Sequence, residues 1–206
     1  MSQFALPLAL PIDARDAEFL VTDSNAAAVR LLDHWATWPV RTAIIAGPPR
    51  SGRTLLGQIF AARSDGNLID DAETRDEEAL FHAWNRAQDE RRPLLLLAAA
   101  LPPDWAIALP DLRTRLAASP AATIGAPDDA LVRALIERGF ARRHLDARPE
   151  LIAWLAARVE RSHAAVIDAI ERLDRAALAG RRRLSIPLAR ETLQPDAAFT
   201  AQSDQS

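Results

Sequence analysis

An apolar run, Thr42-Ala43-Ile44-Ile45-Ala46, opens directly into Gly47-Pro48-Pro49-Arg50-Ser51-Gly52-Arg53-Thr54, and Thr54 to Arg63 then reads as a helix. A buried strand, a glycine-rich loop and a helix in direct succession form a phosphate loop. The backbone N–H groups of the loop and the helix N-terminus converge on one point and favour an anion there. In such a loop a basic residue contacts the outer phosphates, and a Ser or Thr hydroxyl ligates Mg²⁺. Thr54 holds the hydroxyl position and Arg53 the basic one. Arginine keeps the charge but is longer and planar, so it can hold a phosphate while giving poorer geometry for transfer chemistry. The alternative is a capped turn that binds nothing.

The surrounding pattern sets the fold class. Ser24 to Trp38 carries apolar residues at Ala28, Leu31, Leu32 and Trp35, the period of a helix. Asn67-Leu68-Ile69-Asp70 and Pro93 to Ala98 are further apolar runs, separated by the amphipathic stretch Glu77 to Glu90, and a weaker strand is expected near Ala122-Thr123-Ile124. Strands alternating with helices imply an α/β fold with a parallel sheet. After Gly125 the pattern is wholly helical, over Asp128 to Phe140, Pro149 to Arg158, Ser162 to Leu178 and a short helix after Ser185-Ile186-Pro187. The chain is therefore expected to divide near residue 126.

Asp70 and Asp71 close the strand after the loop, where phosphate-loop proteins place an acid that holds Mg²⁺ and a second that polarises the attacking water. The same Asp-Asp-Ala-Glu also suits an exposed helix cap. Arg113 and Arg115, in Leu109-Pro110-Asp111-Leu112-Arg113-Thr114-Arg115-Leu116, sit where a surface arginine could reach a neighbouring subunit's nucleotide. Without further context, two arginines on a short helix are usually just solvated.

Composition narrows the classes. With no cysteine and only His34, His82, His144 and His163 at scattered spacing, a metalloenzyme built on thiolate or imidazole is disfavoured. The chain has no lysine, so Arg53 in place of a lysine reflects composition as much as selection. No run of about 18 apolar residues and no signal-peptide core interrupt the pattern, which points to the cytoplasm and away from membranes. The net charge of −3 gives no basic face for DNA, and Arg181-Arg182-Arg183 reads as a solvated turn between helices.

Ahead of the domain stands Gln3-Phe4-Ala5-Leu6-Pro7-Leu8. Pro7 fixes φ and removes a donor, which pre-sets an extended segment with Leu6 and Leu8 offered to a partner and Gln3 as a polar anchor. The segment resembles the hexapeptide by which bacterial proteins bind the DNA polymerase sliding clamp. An edge strand or apolar tail packed on its own domain fits the same residues.

Together these residues resemble the DnaA/Hda branch of the AAA+ P-loop family, and within it the Hda-like regulators. Phe19-Leu20-Val21 with Asn25 resembles the branch's first box, beside the nucleotide base; Gly47 to Thr54 matches Walker A, and Leu68-Ile69-Asp70-Asp71 matches Walker B. Ala100-Leu101-Pro102-Pro103 resembles the segment after the sensor strand, and Leu109 to Leu116 the segment carrying the arginine finger, which makes Arg115 the finger. The resemblance implies a clamp-binding peptide over residues 1–12, an α/β core over 13–125 and a helical lid with a polar tail over 126–206. Implied nucleotide-binding residues are Phe19, Val21, Gly47, Pro48, Pro49, Arg50, Ser51, Gly52, Arg53 and Thr54, with Thr54, Asp70 and Asp71 toward a metal. Implied clamp contacts are Gln3, Phe4, Leu6, Pro7 and Leu8. ADP or ATP with Mg²⁺ is the implied cofactor, and the sliding clamp and DnaA are the implied partners, with no sequence-specific DNA binding. Self-association through the AAA+ face stays open.

Three departures temper the resemblance. Arg53 replaces the Walker A lysine, Ala100 stands at the sensor acid, and Ala164 aligns with the lid's sensor arginine, Arg161 lying about one turn earlier. Few residues separate Walker A from Walker B, too few for another strand and helix, so about four strands are expected. The implied function is a regulator that hydrolyses little ATP itself and promotes hydrolysis of DnaA-bound ATP through Arg115. The alternatives are a weak autonomous ATPase and a degenerate binding module.

Overall fold

The computed structural model describes residues 19–193, so the docking peptide Gln3 to Leu8 and the polar C-terminal tail lie outside the described residues. Two compact units meet in sequence between Gly125 and Ala126.

In the first unit four parallel strands lie in the order β2-β3-β1-β4. They are β1 (Thr42–Ala46), β2 (Asn67–Ile69), β3 (Leu94–Ala98) and β4 (Ala121–Thr123). β1 and β3 are in register from Thr42 opposite Leu94 to Ala46 opposite Ala98, and every residue of both is buried. Parallel strands covered on both faces lose the polar alternation of an exposed sheet, which is why both runs are apolar apart from Thr42.

Alternation survives in where the side chains go. Ala43, Ile45, Leu95 and Leu97 pack on one face with Ala28, Val29 and Leu32 of α1 (Ala26–Asp33) and Leu56 and Phe60 of α2 (Arg53–Ser64). Ile44, Leu94, Leu96 and Ala98 pack on the other with Leu80 and Ala87 of α3 (Glu77–Asp89) and Leu112 and Leu116 of α4 (Pro110–Ala118). The result is a helix–sheet–helix sandwich. Because α2 passes straight to β2, the sheet has four strands among the described residues, as the spacing predicts.

The helix expected over Ser24 to Trp38 ends earlier, at Asp33, and resumes only as a 3-10 turn, Trp35–Thr37. Two local causes act. The Trp38 indole donates to the Leu31 carbonyl at 2.9 Å, closing the last turn of α1, and Pro39 disfavours helical backbone at Trp38.

Among the described residues the second unit has four helices: α5 (Asp129–Arg142), α6 (Pro149–Ala156), α7 (His163–Gly180) and α8 (Ile186–Leu193). Val132, Ile136 and Phe140 of α5 and Val166, Ile170 and Leu173 of α7 recur at helical spacing and close on Leu151 and Leu155 of α6 and Leu188 of α8. Gly139 lets α5 and α7 approach, since a Cβ there would stand 2.7 Å from Ile170 Cδ1. Asp128 caps α5 through the Leu131 N–H, and Ser162 caps α7 through the Ala165 N–H.

Candidate nucleotide site and arginine face

The glycine-rich loop joins β1 to α2, with its backbone twice in the left-handed region: Gly52 at φ +85° and Arg50 at φ +64°. Glycine takes that conformation freely, while arginine pays steric strain of about 1 kcal/mol. Gly52 occupies the N-cap of α2 and supplies no side-chain cap, in contrast with Asp76, which caps α3 through the Ala79 N–H. The first N–H groups of α2 thus stay available to an anion. Ser51 is buried, and its Oγ faces Gly47 with no hydrogen-bond partner; a Cβ on Gly47 would approach that oxygen to 2.9 Å.

Arg53 and Thr54 start α2 and turn toward the end of β2, where Asp70 and Asp71 follow Ile69. Thr54 Oγ1 donates to Asp70 Oδ2 at 2.7 Å. The Arg53 side chain is 13% exposed, and its guanidinium reaches three partners. Its Nη1 donates to the Gly47 carbonyl at 2.8 Å, its Nη2 pairs with Asp71 Oδ1, and its Nε stands 3.9 Å from Asp70 Oδ1. Asp70 Oδ1 also accepts the Asp71 N–H at 2.9 Å, and Arg75 donates to the Asp70 carbonyl from Nε at 3.2 Å and Nη2 at 3.1 Å. The structure therefore brings Gly47, Arg53, Thr54, Asp70 and Asp71 together as the spacing predicts, but with the arginine folded onto the acids.

Phe19 lies over the loop, since a Cβ on Gly52 would fall 3.2 Å from its ring. Its other neighbours line a cavity between α1 and α2 that includes Leu32, Trp35, Leu56, Phe60 and Arg63. Val21 packs on the adjoining core. Asn25, buried to 2%, holds this segment: its Oδ1 accepts the Thr22 N–H at 3.0 Å and its Nδ2 donates to the Leu20 carbonyl at 2.8 Å. Both bonds stay within the segment, so Asn25 acts as a staple of the box.

Arg115 lies in the last turn of α4, half-buried, whereas Arg113 is exposed. The Arg115 guanidinium stands 4.6 Å from the ring centres of both Phe81 and Trp84 on α3. Stacking uses its faces and leaves the N–H edge free for an anion. The two helices are also tied at their starts, where the Glu77 carboxylate accepts the N–H groups of Ala108, at 2.9 Å, and Leu109. Phe81, Trp84 and Glu77 were not legible as partners of this helix, because their contacts form only once α3 and α4 pack side by side on one face of the sheet.

Ala100 follows β3 and offers only a methyl group at the position that the resemblance gives to a sensor acid; the neighbouring Ala99 N–H donates to Glu73 Oε1 at 2.9 Å. In the second unit Ala164 is exposed, and Arg161 is spoken for by Asp129, at 2.6 Å, and the Ala156 carbonyl, at 2.9 Å.

Residues 128–193 match the family model described as the lid domain of Hda. Among curated proteins none matches the chain. In fold it is similar to domain III of the Thermotoga maritima replication initiation protein DnaA, with a TM-score of 0.73 at 16% identity over 86% of this chain and 94% of that one. It is similar also to the Thermotoga maritima RuvB Holliday junction branch migration motor, with a TM-score of 0.64 at 16% identity over 85% of this chain and 70% of that one. A third likeness is to AMPPCP-bound DnaA from Aquifex aeolicus, with a TM-score of 0.62 at 15% identity over 79% of this chain and 65% of that one. These likenesses establish an AAA+ fold.

Proposed function

We propose that the chain, with a lid that matches that of Hda and a fold similar to domain III of DnaA, is an Hda-like regulator of chromosomal replication initiation that promotes hydrolysis of DnaA-bound ATP. In this reading residues 1–12 tether the protein to the DNA polymerase sliding clamp through Gln3, Phe4, Leu6, Pro7 and Leu8. Residues 13–125 form the AAA+ core, and 126–206 the lid and tail. Tethering raises the local concentration of the regulator near newly replicated DNA.

The observation that carries the catalytic role is Arg115, whose guanidinium is held by two aromatic rings while its N–H edge makes no hydrogen bond among the described residues. Docked on ATP-bound DnaA, Arg115 supplies positive charge to the γ-phosphoryl group as its bond to the β-phosphate breaks. An arginine given in trans stabilises that charge strongly. The chain's own loop, Gly47 to Thr54, holds ADP or ATP with Phe19 and Val21 beside the base. Its own turnover is low, because Ala100 brings no acid to position the lytic water.

Adding the protein to ATP-bound DnaA, with and without DNA-loaded clamp, tests the reading. Clamp-dependent loss of DnaA-bound ATP supports it. Turnover by this chain without partners, lost with Asp70→Asn, would instead make it an autonomous ATPase.

A further inference from the structure

The fold family implies a nucleotide with Mg²⁺, and the two parts of that ligand fit this site differently. The phosphates fit: α2 begins uncapped at Gly52, and the Ser51 hydroxyl is 94% buried and unpartnered inside the loop. The cation does not. Both carboxylate oxygens of Asp70 are engaged, Oδ2 by the Thr54 hydroxyl and Oδ1 by the Asp71 N–H with Arg53 Nε nearby, and Asp71 is paired with Arg53 Nη2. A divalent ion approaching these acids meets a guanidinium already in contact with them.

We infer that Arg53 takes the place of the divalent cation, so that this site binds nucleotide phosphates without Mg²⁺. The inference rests on the reading of Gly47 to Thr54 as a nucleotide site and adds to it which species enters. Three features of Arg53 support it. Its guanidinium is planar and can bridge the Gly47 carbonyl to Asp71 at one time, which an ammonium on a lysine stem does poorly. Its charge, with that of Arg75 at the Asp70 carbonyl, balances Asp70 and Asp71 inside the protein. And its anchorage on Gly47 fixes the loop's first residue, the part of the cradle that phosphates must find in place. Among the described residues, no group of three or more His, Asp or Glu side chains offers a cation an alternative place.

The test is equilibrium binding of ADP to the full-length protein, read by calorimetry, in excess Mg²⁺ and in EDTA. The expected result is an affinity that changes by less than twofold between the two conditions. Arg53→Lys, which frees Asp70 and Asp71, is expected to bind ADP at least tenfold more tightly with Mg²⁺ than without. Wild-type affinity falling tenfold or more in EDTA would overturn the inference and leave the nucleotide site standing. ADP bound under neither condition would overturn both together. Direct binding of Mn²⁺ to the wild-type protein without nucleotide, read by electron paramagnetic resonance and lost with Asp71→Asn, would also overturn it; no binding supports it and needs no variant to fold.

Discussion

Arg115 and Trp84 are joined twice. The guanidinium lies 4.6 Å from the indole ring, and at the other end of the residue the Trp84 Nε1 donates at 3.1 Å to Ser119 Oγ, which donates at 2.9 Å to the Arg115 carbonyl. One aromatic residue thus fixes both the backbone and the head group of the arginine proposed to reach DnaA. With Phe81 on the same side chain, the guanidinium loses rotamer freedom before any partner arrives, and preorganised charge stabilises a transition state more than charge that must first be ordered.

Trp84→Leu is therefore expected to lower the stimulation of DnaA-bound ATP hydrolysis about tenfold, equivalent to a cation–π contact of about 1.4 kcal/mol. Trp84→Phe keeps the ring, loses the hydrogen bond and should retain most of the stimulation. Clamp binding, measured in parallel, is expected to be equal in both variants. Equal stimulation by wild type and Trp84→Leu would separate Trp84 from the function of Arg115.

Arg50 holds φ +64° in a loop where glycine would be unstrained. Arg50→Gly should raise the free energy of unfolding by about 1 kcal/mol, the relief of left-handed strain. Urea titration followed by circular dichroism measures it, and an unchanged or lower midpoint would contradict the assignment of strain.

Much of the fold was legible because single elements carried it. β1 and β3 are short apolar runs whose length and turn-forming flanks separate them from helices, and the lid helices repeat apolar residues at three and four. The meeting of Arg53 and Thr54 with Asp70 and Asp71 was legible from their places at the ends of β1 and β2. What the sequence hid depends on geometry between distant residues. Nothing in Gly-Arg-Thr says that the guanidinium turns back to Gly47 and Asp71, and nothing in Glu77 to Asp89 says that Phe81 and Trp84 face Arg115. The early stop of α1 escaped for a similar reason, since its apolar period runs through Trp35 while the Trp38 indole takes the Leu31 carbonyl.

His163 is buried to 3% at the start of α7, and neither ring nitrogen has a hydrogen-bond partner. Burial lowers its pKa below the usual 6.5, so the folded lid keeps it neutral while the unfolded chain takes up a proton as pH falls. The unfolded state then binds more protons, and stability rises with pH through this range. Its contribution is complete above pH 6.5 and is lost as the pH drops below that value toward the lower folded pKa. Unfolding midpoints at pH 7.5 and pH 5 should differ more for wild type than for His163→Phe; equal differences would show that His163 is not the group responsible.

The buried Ser51 hydroxyl is desolvated without a partner, which costs about 1 kcal/mol or more. Ser51→Ala is expected to stabilise the nucleotide-free protein by about that amount, read from thermal unfolding. The same variant should bind ADP more weakly, because the hydroxyl inside the cradle is gone. Greater stability with unchanged ADP affinity would make Ser51 a packing residue only.

The most direct test of the central claim is the rate at which DnaA-bound ATP is lost on adding wild-type protein or Arg115→Ala in the presence of DNA-loaded clamp, with clamp binding of each measured alongside. The account predicts clamp-dependent loss with wild type and none above background with Arg115→Ala, while both bind the clamp equally. Equal stimulation by the two proteins, or none by either with DnaA shown to be active, would contradict it.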